Sequence, residues 1–210
     1  MRINFLYALL HMIGRFLLKM LFRLEVEGQK NIPPKGGIIF AANHSSFLDP
    51  IMVAEASYRQ LFFLAKKDLF KGGVFPKFIG ALNALPLEKN FLYPSTLKKI
   101  REILHKGGAL LLFPEGTRSA NGKIRKGKTG VGFLSLNTCT PVIPTLILGT
   151  EKALPPGKKM ISPVKVKVKF GPPLYPPPSS ARLKKDYYLF TEKIMEEILK
   201  LKKEEEKQYL

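Results

Sequence analysis

Two short segments hold the residue types that proton transfer and anion binding require. The first is Asn43-His44-Ser45-Ser46-Phe47-Leu48-Asp49-Pro50. An imidazole can take a proton from a hydroxyl, and a carboxylate can hold the ring and stabilise the imidazolium. A spacing of five would put His44 and Asp49 on different faces of a continuous helix. In a loop, however, the chain can curl so that Asp49 accepts from one ring nitrogen while the other faces a substrate. A second reading stands beside this one. Asp49 before Pro50 is also a well-formed helix cap with proline at the first helical position, and His44 is then a loop histidine.

The second segment is Phe113-Pro114-Glu115-Gly116-Thr117-Arg118-Ser119, roughly 70 residues further on. Arg118 offers a planar fork of donors suited to a phosphate. Gly116 allows a positive φ or a close backbone approach. The plainer reading is a polar turn closing a strand. Further cations are Lys66, Lys67, Lys89, Arg125, Lys126 and Lys128. Most are expected in solvent, with one or two completing a phosphate pocket beside Arg118.

The elements that position these residues are readable from apolar pattern. Residues 37–42 (GIIFAA), 61–65 (LFFLA), 109–113 (ALLLF) and 141–148 read as buried strands. Residues 50–57, 94–105 and 130–137 read as helices; Leu97, Ile100, Ile103 and Leu104 share one face of the second, which Gly107-Gly108 ends. Residues 164–170 (VKVKVKF) alternate strictly, which predicts a half-exposed strand at a sheet edge guarded by lysine. GPPLYPPPSS reads as a loop, and a long helix with a solvated KKEEEK end follows from Ser179. Buried strands alternating with helices predict a single α/β domain over residues 28–210, with a mixed, mostly buried sheet flanked by helices. Open α/β sheets place their sites beyond strand ends, where both segments lie.

Residues 4–24 are almost wholly apolar, interrupted by His11, Arg15, Lys19 and Arg23 at steps of four. A membrane span tolerates few internal charges, and a signal peptide carries its charge before the apolar core. The pattern predicts an amphipathic helix over residues 1–27 that lies on an anionic membrane surface. The alternative is an ordinary helix packed on the domain. The 210-residue chain carries a formal net charge of +19, which favours anionic partners: a membrane, a phosphorylated substrate or nucleic acid. Nucleic-acid binding needs a basic stripe with exposed aromatics. Here the lysines are dispersed and the aromatics fall in apolar runs, so no nucleic-acid partner is expected.

Cys139 is the single cysteine, which excludes an intramolecular disulfide and suits a cytoplasmic setting. Its neighbours predict a core cysteine. His11 and His105 read as helix-surface residues, and no metal site is expected from three scattered histidines. No G-x-S-x-G elbow surrounds Ser45 or Ser46, which argues against a serine hydrolase.

NHSSFLD followed by FPEGTRS resembles the glycerolipid acyltransferase family, in particular its 1-acyl-sn-glycerol-3-phosphate acyltransferases. The similarity runs from about Gly28 to Gly171, through Phe63-Leu-Ala-Lys-Lys-Asp-Leu and Gly80-Ala-Leu-Asn-Ala-Leu-Pro-Leu-Glu-Lys. Lys126-Gly127 and Thr140-Pro-Val-Ile-Pro-Thr resemble later elements of the same family. Lys89 stands where the family usually has arginine, which keeps the charge and loses the bidentate fork. The resemblance implies direct acyl transfer from acyl-CoA or acyl-acyl carrier protein to the sn-2 hydroxyl of a lysophospholipid, 1-acyl-sn-glycerol-3-phosphate, to give phosphatidic acid. It implies no cofactor and no acyl-enzyme. His44 is the implied base and Asp49 its orienter, with Glu115, Gly116, Thr117, Arg118, Lys89 and Lys66 on the substrate side. Another lysolipid, or glycerol-3-phosphate, is the alternative acceptor; a non-catalytic membrane-binding relative is the alternative class. The implied location is the cytoplasmic face of the cell membrane, peripheral or monotopic.

Overall fold

The computed structural model describes residues 12–14, 16, 20–72, 79–80, 83–87, 94–119, 121–155, 157, 160–178 and 183–207. Lys89, Arg15, Lys19 and His11 lie outside these residues.

Seven strands form one mixed sheet: β1 (Glu25–Glu27), β2 (Ile38–Ala42), β3 (Leu61–Lys66), β4 (Ala84–Leu87), β5 (Ala109–Leu112), β6 (Val142–Leu148) and β7 (Lys167–Phe170). Their order is β1-β7-β6-β2-β5-β3-β4. Every pairing is parallel except β6 with β7. The helices are α1 (Asp49–Ala56), α2 (Pro94–His105), α3 (Gly130–Thr138), α4 (Thr150–Ala153) and α5 (Lys184–Lys207).

β2 is buried at every position because both faces of the sheet are covered. Alternate side chains serve alternate layers. Ile38, Phe40 and Ala42 pack with Met52, Val53 and Ala56 of α1 and with Phe22. Ile39 and Ala41 pack with Ile100 and Leu104 of α2, Leu134 of α3, and Ile194 and Ile198 of α5. The expected α/β fold with a mixed sheet is therefore the observed one, with helices on both faces.

The edge of the sheet differs from expectation. β7 is not a half-exposed edge strand: all four residues are buried, and β1 lies outside it. Lys167 and Lys169 are buried because carboxylates meet them there. Lys167 Nζ lies 2.5 Å from Glu205 Oε1 and 2.8 Å from Glu27 Oε1. Lys169 Nζ lies 3.4 Å from the second oxygen of each. Burial pulls the Lys167 pKa down, but the carboxylates of Glu205 and Glu27 more than reverse this and hold it above the ordinary lysine value. The same contacts, chiefly the hydrogen bond from Lys167, hold Glu27 below the usual carboxylate range. The KKEEEK end of α5 is thus not wholly solvated, since Glu205 faces β7 and is buried. Gly28, just past β1, has φ +73°, and a Cβ there would strike the Phe170 carbonyl oxygen, so the turn out of β1 requires glycine.

Of two smaller expectations, the buried cysteine changes and the proline-rich loop holds. Cys139 is exposed at the end of α3 with φ +52°, because the helix terminates through it rather than burying it. The proline-rich loop after β7 makes one bridge, Leu174 to Val142. Helical backbone is present at residues 12–14, 16 and 20–22, inside the segment assigned to a membrane helix. There Met12, Phe16 and Met20, at steps of four, are exposed, and Phe22 is buried in the core.

Glu205→Gln should leave two buried ammonium groups short of a carboxylate and cost about 3 kcal/mol. Combining Lys167→Met, Lys169→Met and Glu205→Leu should recover most of that loss. Chemical denaturation of the three proteins checks both outcomes; a single variant as stable as wild type would contradict this role for the network.

Candidate active site

Adjacent strands bring the two segments together. β2 and β5 are parallel neighbours, with Ala41 opposite Leu112. The loops that follow them therefore leave the same end of the sheet, side by side. Cross-bonds then fix one loop to the other. His44 N–H donates to Glu115 Oε1 at 2.9 Å, and Ser119 N–H donates to the His44 carbonyl at 2.8 Å. On the far side, the Asn43 side chain acts as a strand partner. Its Nδ2 donates to the Ile147 carbonyl at 2.9 Å and its Oδ1 accepts from Ile147 N–H at 2.7 Å. That extends the β2–β6 pairing by one residue.

Asp49 is the first residue of α1, and Leu48 occupies the cap position. The carboxylate does not serve as a conventional cap. It reaches back, with no exposed surface, and gathers three donors on Oδ2: His44 Nδ1 at 2.8 Å, Ser45 N–H at 2.7 Å and Ser46 N–H at 2.8 Å. Oδ1 is buried without a hydrogen-bond partner among the described residues. Because Oδ2 accepts, Nδ1 of His44 carries the hydrogen, and Nε2 presents its lone pair. The ring lies flat against Phe113, with centroids 3.8 Å apart and planes 15° apart. His44 is thus fixed in tautomer, direction and plane, with its side chain still 17% exposed. Ser46 is not placed as a nucleophile: its hydroxyl donates to the Leu154 carbonyl at 2.8 Å.

Glu115 braces the site from within. It is buried, and its two oxygens accept from His44 N–H and, at 3.0 Å, from Arg125 N–H. Burial pushes its carboxyl above the usual carboxylate range, partly offset by these two bonds. Gly116 turns the loop at φ +71°, and the exposed Lys128 passes over it: a Cβ at Gly116 would sit 3.0 Å from Lys128 Nζ. Exposed Thr117 accepts from Arg125 Nη1 at 3.2 Å. Half-buried Arg118 lies over the Phe47 ring, its Cζ 3.5 Å from the centroid. Its Nη1 is buried with no partner among the described residues. No carboxylate among those residues forms an ion pair with Arg118, Arg125 or Lys128, so their charge remains available to a ligand. Lys66 ends β3, on the far side of β5, and its side chain, like Lys89, is outside the described set.

Sequence reasoning assigns no roles to Asn43, Phe47 or Phe113. Their partners come from neighbouring strands and loops. Only their places within the two segments signal importance.

The candidate site therefore consists of an oriented imidazole in the loop after β2 and, in the loops around the end of β5, cations without an ion pair among the described residues. The chain belongs to the Acyltransferase family, whose model matches residues 23–148. It is 29% identical over 147 residues to the chloroplastic 1-acyl-sn-glycerol-3-phosphate acyltransferase BAT2 of Brassica napus, covering 67% of this chain and 41% of that protein. It is 25% identical over 154 residues to the 1-acyl-sn-glycerol-3-phosphate acyltransferase of Bacillus subtilis (strain 168), covering 72% of this chain and 74% of that one. The crystal structure of the 1-acyl-sn-glycerophosphate (LPA) acyltransferase PlsC from Thermotoga maritima superposes with a TM-score of 0.76 at 29% identity, covering 93% of this chain and 79% of that chain. The chain spans about two fifths of the length of the first plant relatives, 41% and 40%.

Glu115→Gln should leave one of the two backbone N–H groups facing an amide donor, at a cost of about 1–3 kcal/mol. The pH dependence tests the brace. The pKa of Glu115 is raised on folding, so its stabilisation is full below the ordinary carboxylate value of 4.5 and declines as pH rises through the raised value. The difference in thermal midpoint between wild type and variant should therefore narrow as pH rises from 4.5 to the raised value and stay constant above it. A gap that is constant across that interval would argue against it.

Proposed function

We propose that this chain transfers a fatty acyl group from an acyl thioester, acyl-CoA or acyl-acyl carrier protein, to the sn-2 hydroxyl of 1-acyl-sn-glycerol-3-phosphate, giving phosphatidic acid. The observation that carries this reading is a fixed His44 base one strand away from a half-buried Arg118 that has no ion pair among the described residues. Nε2 of His44 takes the hydroxyl proton as that oxygen bonds to the thioester carbonyl carbon. Asp49 stabilises the imidazolium from the opposite nitrogen. Collapse of the tetrahedral intermediate breaks the carbon–sulfur bond, and the imidazolium returns its proton to the departing thiolate. Addition and collapse balance in one direct transfer: a carbon–oxygen bond forms, the carbon–sulfur bond breaks, and the hydroxyl proton ends on the thiol.

The phosphate is assigned to Arg118, with Lys128 and Arg125 beside it. Stacking on Phe47 leaves the edge of the guanidinium, where its N–H donors lie, free for an oxyanion. Gly116 keeps the turn low enough for Lys128 to cross it. Lys89 and Lys66 are proposed as further phosphate contacts from the β3–β4 side. Glu115 supports the reading differently from a direct substrate contact, by holding the His44 and Arg125 backbones. The names of the relatives favour the lysophosphatidic acceptor over a neutral lysolipid.

No described helix is long and apolar enough to cross a membrane. The proposed attachment is peripheral, at the anionic cytoplasmic face of the cell membrane, through the N-terminal helical residues. Their exposed apolar side chains and the excess positive charge support it.

His44→Ala should lower kcat/KM by about 10²–10⁴-fold or more while the circular dichroism spectrum stays native. Turnover retained at wild-type level would sink the mechanism. Arg118→Ala should raise the KM for a phosphate-bearing acceptor about tenfold, with little change in KM for the acyl donor. If neither parameter moves, Arg118 does not hold the phosphate. A panel of lysophosphatidic acid, glycerol-3-phosphate and neutral lysolipids, each with both donors, identifies the acceptor and donor.

A further inference from the structure

The reversal of β7 and β1 gathers apolar surface at the end of the sheet that bears the site. β2 and β5 end there, at the loops of His44 and Arg118. β6 ends there too, being parallel to β2. β7 is antiparallel to β6, with Lys167 opposite Leu148, so β7 begins at this end. β1 is parallel to β7 and also begins there. Two connections are consequently brought together: the helical residues preceding β1 and the segment between α4 and β7.

That second segment forms a loop closed at its base, where Ser162 N–H donates to the Ala153 carbonyl at 2.8 Å. Immediately before that closure, Met160 is 83% exposed and Ile161 47% exposed. Exposed apolar side chains become informative where they adjoin a larger apolar surface. In sequence, Lys158 and Lys159 immediately precede Met160. The loop is anchored to both neighbours. Ser46 Oγ, two residues past His44, donates to the Leu154 carbonyl at 2.8 Å. Val166 N–H donates to the Phe22 carbonyl at 2.9 Å, and Met20, Leu21 and Arg23 share one shallow depression with Pro163, Val164 and Lys165. The exposed Met20 and Leu21 continue the apolar surface from the N-terminal helix toward the loop.

We infer that the Met160–Ile161 loop is a second membrane contact, inserted into an anionic lipid surface alongside the N-terminal helix. Met160 and Ile161 enter the acyl region, and the excess positive charge of the chain favours an anionic surface. Two contacts on one side of the site fix the protein's orientation, where one helix would leave it free to roll. The site end of the sheet then faces the bilayer, which is the source of a lysolipid acceptor. The inference rests on the peripheral attachment proposed above and adds the element that orients it.

The chain contains no tryptophan, so Met160→Trp introduces a single reporter. Tyr175→Trp is the control: Tyr175 is exposed and follows Leu174, which bridges to Val142 at the opposite end of β6. Vesicles of phosphatidylglycerol with phosphatidylcholine should shift the indole emission of the Met160→Trp variant to the blue, and brominated acyl chains should quench it. The Tyr175→Trp variant should show neither effect. Met160→Asp with Ile161→Asp should weaken vesicle co-sedimentation about tenfold or more, with an unchanged circular dichroism spectrum. Wild-type co-sedimentation with unshifted emission from the Met160→Trp variant would overturn the loop contact and leave peripheral attachment standing. Failure of the wild type to sediment with vesicles would overturn both. An equal shift on pure phosphatidylcholine would overturn the anionic preference, and a shift on nucleic acid but not vesicles would overturn a lipid partner altogether.

Discussion

The parallel pairing of β2 between β6 and β5 is the constraint from which the rest follows. It covers both edges of β2 while the packed layers on either side cover its faces, which demands the continuous apolar run IIFAA. It also sends the loops after β2 and β5 out of the same end. The chemistry is therefore assembled from residues distant in sequence without any long-range side-chain reach. Glu115 and Asn43 finish the work of the sheet beyond its last residues, each replacing a backbone partner that the diverging strands can no longer offer.

Within that frame the buried Asp49 carboxylate sets the loop. A carboxylate removed from water must collect donors. The chain supplies two backbone N–H groups by curling through Ser45 and Ser46, and the third position falls to His44. One electrostatic requirement thus determines loop shape, imidazole tautomer and ring direction together. Phe113 adds only the plane of the ring, and it comes from the neighbouring strand end.

The legible parts of this architecture are those encoded locally. β2, β5 and α2 follow from uninterrupted apolar runs or a clean helical stripe, and their observed limits differ from pattern by a residue at most. The His44–Asp49 pair is visible in sequence as one of two readings; only the curl of the loop separates an orienting carboxylate from a cap. β1 is illegible because three residues with glutamate at both ends carry no apolar signature. β7 is misread for a related reason. Alternating lysine signals an exposed edge unless its counter-charge is known, and Glu205 lies on a helix far along the chain. Arg118 is expected from its chemistry, whereas its seat on Phe47 depends on the fold of the other loop.

β1 has one neighbour in the sheet, β7, and almost the whole domain lies between them in the chain. Closing so long a loop costs entropy that a three-residue strand cannot repay until β7 has docked on β6. This edge is thus held by a pairing between the two ends of the domain, a long-range contact of the kind that makes folding slow.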